Sequence, residues 1–229
     1  MTEQPIAVVV GAGPGLGIAL VRRFARAGMK VAAVSRGGGH VASIPASEQK
    51  QVCGYTCDAT QGVQVTATFA KIESELGIPD LVVFNVGTWD RGSVLDLSEE
   101  LFIRAWRIGC LAGFLVGQAA ARTMLPRGTG TIIFTGATAS LRGGSGFAAF
   151  AVPKFGLRAL AQSMARELGP KGLHVAHVIV DGMIAGEAGG GSAPALVPAA
   201  IAEAYFDLHR QDRSAWSHEI DLRPMGETF

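Results

Sequence analysis

Ile6-Ala7-Val8-Val9-Val10-Gly11-Ala12-Gly13-Pro14-Gly15-Leu16-Gly17 stands almost at the start of the chain, and its reading decides the fold. Five apolar, mostly β-branched residues read as a strand buried on both faces. The glycine-rich string after them precedes a helical apolar period, which gives strand, loop and helix in that order. Glycines in such a loop let the backbone turn sharply and approach a pyrophosphate, whose charge is met by the helix N-terminus. Gly11, Gly13, Pro14, Gly15, Leu16 and Gly17 are therefore candidates for dinucleotide contact, with a purely structural tight turn as the bland reading.

Outward from this loop, short apolar runs alternate with helical patterns. Residues 6–10, 30–34, 52–56, 81–85, 131–135 and 174–180 read as strands. Residues 15–27, 63–76, 98–124 and 148–168 read as helices, closing near Gly28, Gly77, Pro126 and Gly169. This alternation specifies an α/β chain: a single doubly wound Rossmann-type domain over residues 1–229, with a parallel sheet of about seven strands and helices on both faces. Right-handed crossovers would place ligands beyond the carboxyl ends of the strands. Residues 186–198, rich in Gly, Ala, Ser and Pro, read as a flexible loop on the substrate side, and residues 198–209 as a further helix. Residues 215–224 read as a last strand and a tail, in which Trp216 and Arg223 are expected to pack.

The 229 residues carry a net charge of +1 and are 48% hydrophobic, with no Lys/Arg block. No footprint for nucleic acid or an anionic membrane surface results. No run approaches the roughly 18 consecutive apolar residues of a membrane span, and the acidic, polar N-terminus lacks the shape of a signal peptide. Three cysteines, an odd number, argue against a disulfide framework and for the cytoplasm. Cys53 and Cys57 have the wrong gap for a metal pair, so no metal is expected.

The second strand ends Val34-Ser35-Arg36, where an acidic residue would accept a ribose 2′-hydroxyl and a basic one would face a 2′-phosphate. Arg36 favours NADP(H) over NAD(H); its alternative is a solvated strand-end charge. Lys154 lies in an otherwise apolar helix and is costly to bury without a partner. A cofactor ribose is one candidate partner, and snorkelling to the surface is the alternative.

Taken together, residues 5–185 resemble the short-chain dehydrogenase/reductase family. Gly11, Gly15 and Gly17 match its Gly-x-x-x-Gly-x-Gly, Asp58 with Ala59 its adenine-contacting acid, and Asn85-Val86-Gly87 its Asn-Ala-Gly. Lys154 matches the lysine of Tyr-x-x-x-Lys. The resemblance implies a small-molecule substrate, cofactor contact from Ser35, Arg36, Asp181, Gly182 and Ile184, and a homodimer or homotetramer through helices 98–124 and 148–168.

It also exposes departures. The family's tyrosine, which moves the substrate proton, is Phe150 here; its serine falls on Ala137 and its asparagine on Gly109 or Cys110. Phe147, at the wider spacing of related enoyl reductases, offers no rescue. The proline-glycine motif after the sixth strand reads Asp181-Gly182, and the threonine that follows it in the family aligns with Gly186. Phenylalanine neither donates nor accepts a proton, so ketone chemistry through position 150 is excluded. Thr138, Ser140 and Ser145 are the candidate substitutes, with loop capping as their alternative, and Lys154, Thr138 and Ser140 form the candidate catalytic set. Tyr205 is expected to pack, His174 and His177 to be structural, and His209 and His218 to lie at the surface or an interface. Two functions follow: an NAD(P)-dependent oxidoreductase acting on an activated C=C, an imine or a quinone-like acceptor, or a non-catalytic nucleotide-binding pseudoenzyme.

Overall fold

In the computed structural model, which describes residues 4–186 and 195–226, seven strands form one parallel sheet. They are β1 (Ile6–Val10), β2 (Lys30–Ser35), β3 (Val52–Thr56), β4 (Leu81–Phe84), β5 (Gly130–Thr135), β6 (Leu173–Val180) and β7 (Glu219–Leu222). Their spatial order is β3-β2-β1-β4-β5-β6-β7, every pair parallel. The order reverses between β1 and β4, so the crevice at their carboxyl ends is where a ligand is expected in such a sheet.

Both faces are covered. β1, β4 and β6 are buried along their whole length, as a sheet between two helical layers requires. On one face α1 (Leu16–Arg26) packs with α7 (Pro198–His209) around Phe24, Leu20 and Tyr205. A short helix α2 (Ala46–Gln49), not anticipated from the sequence, is tied to α1 by Arg22 and Arg26 pairing with Glu48. The other face carries α3 (Gly62–Glu75), α5 (Ala112–Met124) and α6 (Ala148–Leu168) around Phe84, Phe134 and Leu157.

The expected helix over 98–124 is three pieces. Ser98 caps α4 (Glu99–Trp106) by accepting from the amide of Leu101; a π-helical turn follows at Arg107–Leu111, and then α5. A Cβ on Gly109 in that turn would stand 2.8 Å from Cβ of Pro153 in α6. The bulge and the glycine are what let these helices pack so closely. The run Glu99–Arg127 has the length and apolarity of a membrane span, but it packs against α3 and α6.

Two histidines differ from expectation. His209 is half-buried with Nδ1 3.0 Å from Oγ1 of Thr131, and His218 is half-buried with Nδ1 3.2 Å from the Val175 carbonyl. His209 thus fastens α7 to β5, and His218 fastens the segment before β7 to β6. Trp216 stacks flat on His174 at 5.0 Å, and Arg223 pairs with Asp181 at 3.1 Å, so both pack as expected. Most of the 186–198 loop lies outside the described residues.

Candidate active site and cofactor groove

At the switch point the glycine loop folds against the end of β4. Gly11 has φ 95°, and a Cβ there would lie 2.6 Å from the Asn85 carbonyl oxygen; one on Gly17 would lie 2.3 Å from the Gly11 carbonyl oxygen. No side chain fits either place, so the backbone is brought as close to the crevice as it can go. Asn85 donates from Nδ2 to that Gly11 carbonyl at 3.3 Å, which fastens the two loops together.

The result is a groove of about 400 Å³ lined by Gly11, Gly13, Pro14, Ser35, Arg36, Asp58, Ala59, Asn85, Val86 and Gly87. Ten of the expected cofactor residues thus converge. Gly15, Leu16 and Gly17 do not line it: Gly15 precedes the first turn of α1, Leu16 is buried in the core, and Gly17 backs the loop. Asp181, Gly182 and Ile184 also lie outside the lining. His40, Thr88 and Ile108 line the groove and were not anticipated. His40 is the only non-glycine at positive φ (50°) among the described residues, a conformation L-residues rarely hold without surrounding constraint. Ser35 supplies part of that constraint, its Oγ accepting from the amides of Gly37 and Gly39. An adjoining pocket shares Arg36 and Asp58 with the groove and adds Arg104, Arg107 and Glu100, so three guanidinium groups and two carboxylates border the end near β2.

A second cavity of about 360 Å³ opens at the ends of β5 and β6. Its walls are Trp89, Phe147, Phe150, Val180 and Met183, with Thr138, Gly182 and Arg142 as polar features. Trp89 meets Phe150 at 4.8 Å between ring centroids and Phe147 edge-on at 5.7 Å. Phe150 is 7% exposed and packs with Ala139 and Ala151. The position resembling the family's tyrosine is therefore a packed ring in an apolar wall.

Between the two cavities lies Lys154, whose Nζ donates to the Thr135 carbonyl at 2.7 Å and would stand 3.5 Å from a Cβ on Gly87. Burial pushes its pKa down to about 8, because the charged amine is removed from water without a carboxylate partner. It does not snorkel: the residue is 6% exposed and directed to the loop that lines the groove.

Thr138 is, with Arg142, a polar side chain lining the second cavity. It donates through Oγ1 to Asp181, which Arg223 holds in an ion pair. Ser140 is turned elsewhere: fully buried, its Oγ accepts from the Ala137 amide and lies 3.5 Å from Nε2 of His177. His177 Nδ1 in turn lies 2.9 Å from Glu219, which Arg158 grips with two bonds at 2.7 Å. Serine, histidine and carboxylate thus stand in the order of a nucleophilic triad. The first two have no exposure, and burial above all pushes His177 down to about 4, so it is neutral. This geometry ties the 138–140 turn to β6, β7 and α6. Ser145 is exposed on a neighbouring surface and does not line the cavity. Tyr205 is fully buried, its hydroxyl donating to Oγ1 of Thr135 at 2.9 Å.

Residues 5–189 match the short chain dehydrogenase family. A relative from Melia azedarach, (21S)-21-acetoxyl-apo-melianone synthase, is 30% identical over 204 residues, covering 88% of this chain and 75% of its own. A short-chain dehydrogenase from Rhodopseudomonas palustris, solved by crystallography, is 41% identical with TM-score 0.84, covering 96% of this chain and 98% of its own. An alcohol dehydrogenase from Thermococcus sibiricus, solved with 5-hydroxy-NADP, shares the fold at TM-score 0.88 and 23% identity, over 99% of each chain. The chain belongs to the short-chain dehydrogenase/reductase family of oxidoreductases.

Proposed function

We propose that the protein is an NADP(H)-dependent oxidoreductase whose substrate carries an activated C=C, an imine or a quinone-like group in place of a simple ketone. The observation that carries this reading is the pairing of a groove lined by ten of the expected cofactor residues with a second cavity in which Phe150 stands where a proton donor would be. Gly11 and Gly17 have no room for a Cβ, while a Cβ on Gly13 or Gly15 would meet open space, so the loop packs its backbone tightly and leaves the groove side free, as a pyrophosphate site needs. Bound there, a nicotinamide dinucleotide supplies or accepts a hydride. Lys154, one layer beneath Gly87, is the group proposed to hold the nicotinamide ribose.

An acceptor that stabilises charge by resonance, or an iminium that is already protonated, takes hydride without an acid of the protein's own. Thr138 is the orienting group: its hydrogen is committed to Asp181, so its oxygen is left to accept from an N–H or O–H of the substrate. Ser140 then keeps the turn in place. The lost hydroxyls equally suit a non-catalytic nucleotide-binding protein, and turnover separates the two. Arg36, with Arg104 and Arg107 bordering the same end, supports NADP(H). The free thiols Cys53, Cys57 and Cys110 support a cytoplasmic location.

The test follows NADPH oxidation over enones, imines, quinones and ketones, beside titration of wild type and Arg36→Asp with NADPH and NADH. Turnover of an activated acceptor is expected. NADPH affinity should fall about tenfold or more in the variant while NADH affinity holds or rises. NADPH binding without turnover of any of these acceptors supports the pseudoenzyme, and no NADPH binding overturns both readings.

Ile103, Trp106, Phe114, Val152 and Phe155 are between 38% and 43% exposed on α4, α5 and α6. Such an apolar patch supports self-association through helices 98–124 and 148–168. Phe155→Glu is expected to shift the sedimentation coefficient from that of an oligomer to that of a monomer; an unchanged oligomer would move the interface elsewhere.

A further inference from the structure

We propose that the cavity walled by Trp89, Phe147 and Phe150 takes a flat aromatic substrate bearing a carboxylate, and that Arg142 holds the carboxylate. The inference rests on the reading above and names the substrate class of that same site.

Three rings from two separate segments converge on one space. Trp89 comes from the loop after β4, and Phe147 and Phe150 from the start of α6; their centroids stand 4.8 to 6.5 Å apart in tilted and edge-on arrangements. Such geometry presents ring edges and faces to a further ring, the contact aromatic groups prefer. Trp89 remains 58% exposed although it is one of the largest apolar side chains of the protein, and covering it is a gain that a ligand realises. The cavity, at about 360 Å³, lies at the lower end of the range of roughly 300–1,000 Å³ for small-molecule sites. That is room for one or two fused rings.

The charge around it is one-sided. Arg142 lines the cavity, and the Arg91 guanidinium sits 4.4 Å over the ring of Phe147. No aspartate or glutamate is among the described residues of the lining. Of the carboxylates nearby among the described residues, Asp181 is held by Thr138 and Arg223, and Asp90 pairs through Oδ1 with Arg104. Arg142 has no carboxylate partner among the described residues. An anion is the complement this site lacks, and a guanidinium receives a carboxylate with two parallel bonds. Phe150 gains a role on this view, because a ring completes the apolar wall and a phenol would put a polar group in it.

Isothermal titration calorimetry of the full chain with 2-naphthoate and with 2-naphthylmethanol tests the proposal. The naphthoate is expected to bind about tenfold tighter. Arg142→Gln should remove that preference and leave 2-naphthylmethanol unchanged; Phe150→Ala should weaken both by about tenfold. Equal affinities, no binding of either compound, a preference that survives Arg142→Gln, or affinities that survive Phe150→Ala would each overturn it. A parallel NADPH titration keeps the two readings apart. Naphthoate preference without NADPH binding sinks both nucleotide-binding readings and leaves the ligand class of the cavity standing; NADPH binding without the preference sinks only the substrate class.

Discussion

Phe150→Tyr combined with Ala137→Ser is expected to raise kcat/KM for a simple ketone by about 10²-fold over wild type, with the NADPH dissociation constant unchanged. General acid–base assistance contributes roughly 10²–10⁴ in rate, and the lower end applies because the third departure is left unrepaired. Gly109 cannot take the asparagine side chain while Pro153 stands 2.8 Å from where its Cβ would be. The lysine needed to tune a new phenol is already placed, one helical turn from position 150, buried and directed toward the groove loop. The added hydroxyls have room: Ala137 and Phe150 both line the second cavity. Tyrosine does place an oxygen among Trp89, Phe147 and Met183, so affinity for apolar ligands should fall in the same variant. Steady-state ketone reduction beside NADPH titration checks both. No gain, with NADPH still bound, would mean that Lys154 and the cavity are not aligned for hydride transfer to a carbonyl, and the oxidoreductase reading would weaken with it.

The layers and the groove were legible in the sequence because they rest on local patterns. The expected 6–10, 52–56, 148–168 and 198–209 are the observed β1, β3, α6 and α7 to the residue. Each is a continuous apolar or amphipathic run with Gly, Pro or a polar residue at one boundary at least. The break at Arg107–Leu111 was not legible, since its turn packs at Gly109 against Pro153 of another helix, and a helix with one widened turn has no compositional signature. The groove's core lining was legible because one glycine motif and three strand ends fix it. His40 was missed because its role depends on a left-handed backbone in a Gly-rich turn. The second cavity was hidden for a related reason. Phe150 read as an absence in a motif, and only the approach of Trp89, far away in sequence and in a loop without periodicity, shows it as part of a wall. Thr138 and Asp181 likewise meet across two strands. Ser140 shows the converse: its residue type suited catalysis, and burial against His177 gives it an anchoring place.

Lys154→Met should make the protein more stable at pH 7 and poorer at holding NADPH. The ammonium is removed from water, and its one hydrogen-bond acceptor is a neutral carbonyl, Thr135. Burial accordingly pushes its pKa from 10.5 down to about 8. At pH 7 the native state carries the whole cost of that charge, on the order of a few kcal/mol. Methionine fills the same volume without it. Against this stands the loss of one hydrogen bond to Thr135, about 1–2 kcal/mol. A net gain of about 1 kcal/mol remains, which for a chain of this size raises Tm by about 2–4 °C. The pH dependence identifies the cause. With the folded pKa below the unfolded one, Lys154 binds more protons in the unfolded state between about 8 and 10.5, so its contribution to wild-type stability rises with pH across that window. The gap in stability between the Lys154→Met variant and the wild type should therefore be constant below pH 8, shrink through zero above it and reverse sign as pH nears 10.5, where only the hydrogen bond lost by the variant still counts. Neighbouring charges do not move in that window: His177 is held neutral, titrating near 4, and Arg158 is locked to Glu219. Thermal denaturation of both proteins between pH 7 and 10.5 measures the gap, and fluorescence titration measures the NADPH affinity, expected to drop about tenfold. Were the substitution destabilising at pH 7 with no trend in pH, the lysine would be neutral or better partnered than its single bond implies. Were NADPH affinity unchanged, its part in holding the ribose would be lost. The combination expected here, stability gained and binding lost at one side chain, is what separates a residue kept for a ligand from one kept for the fold.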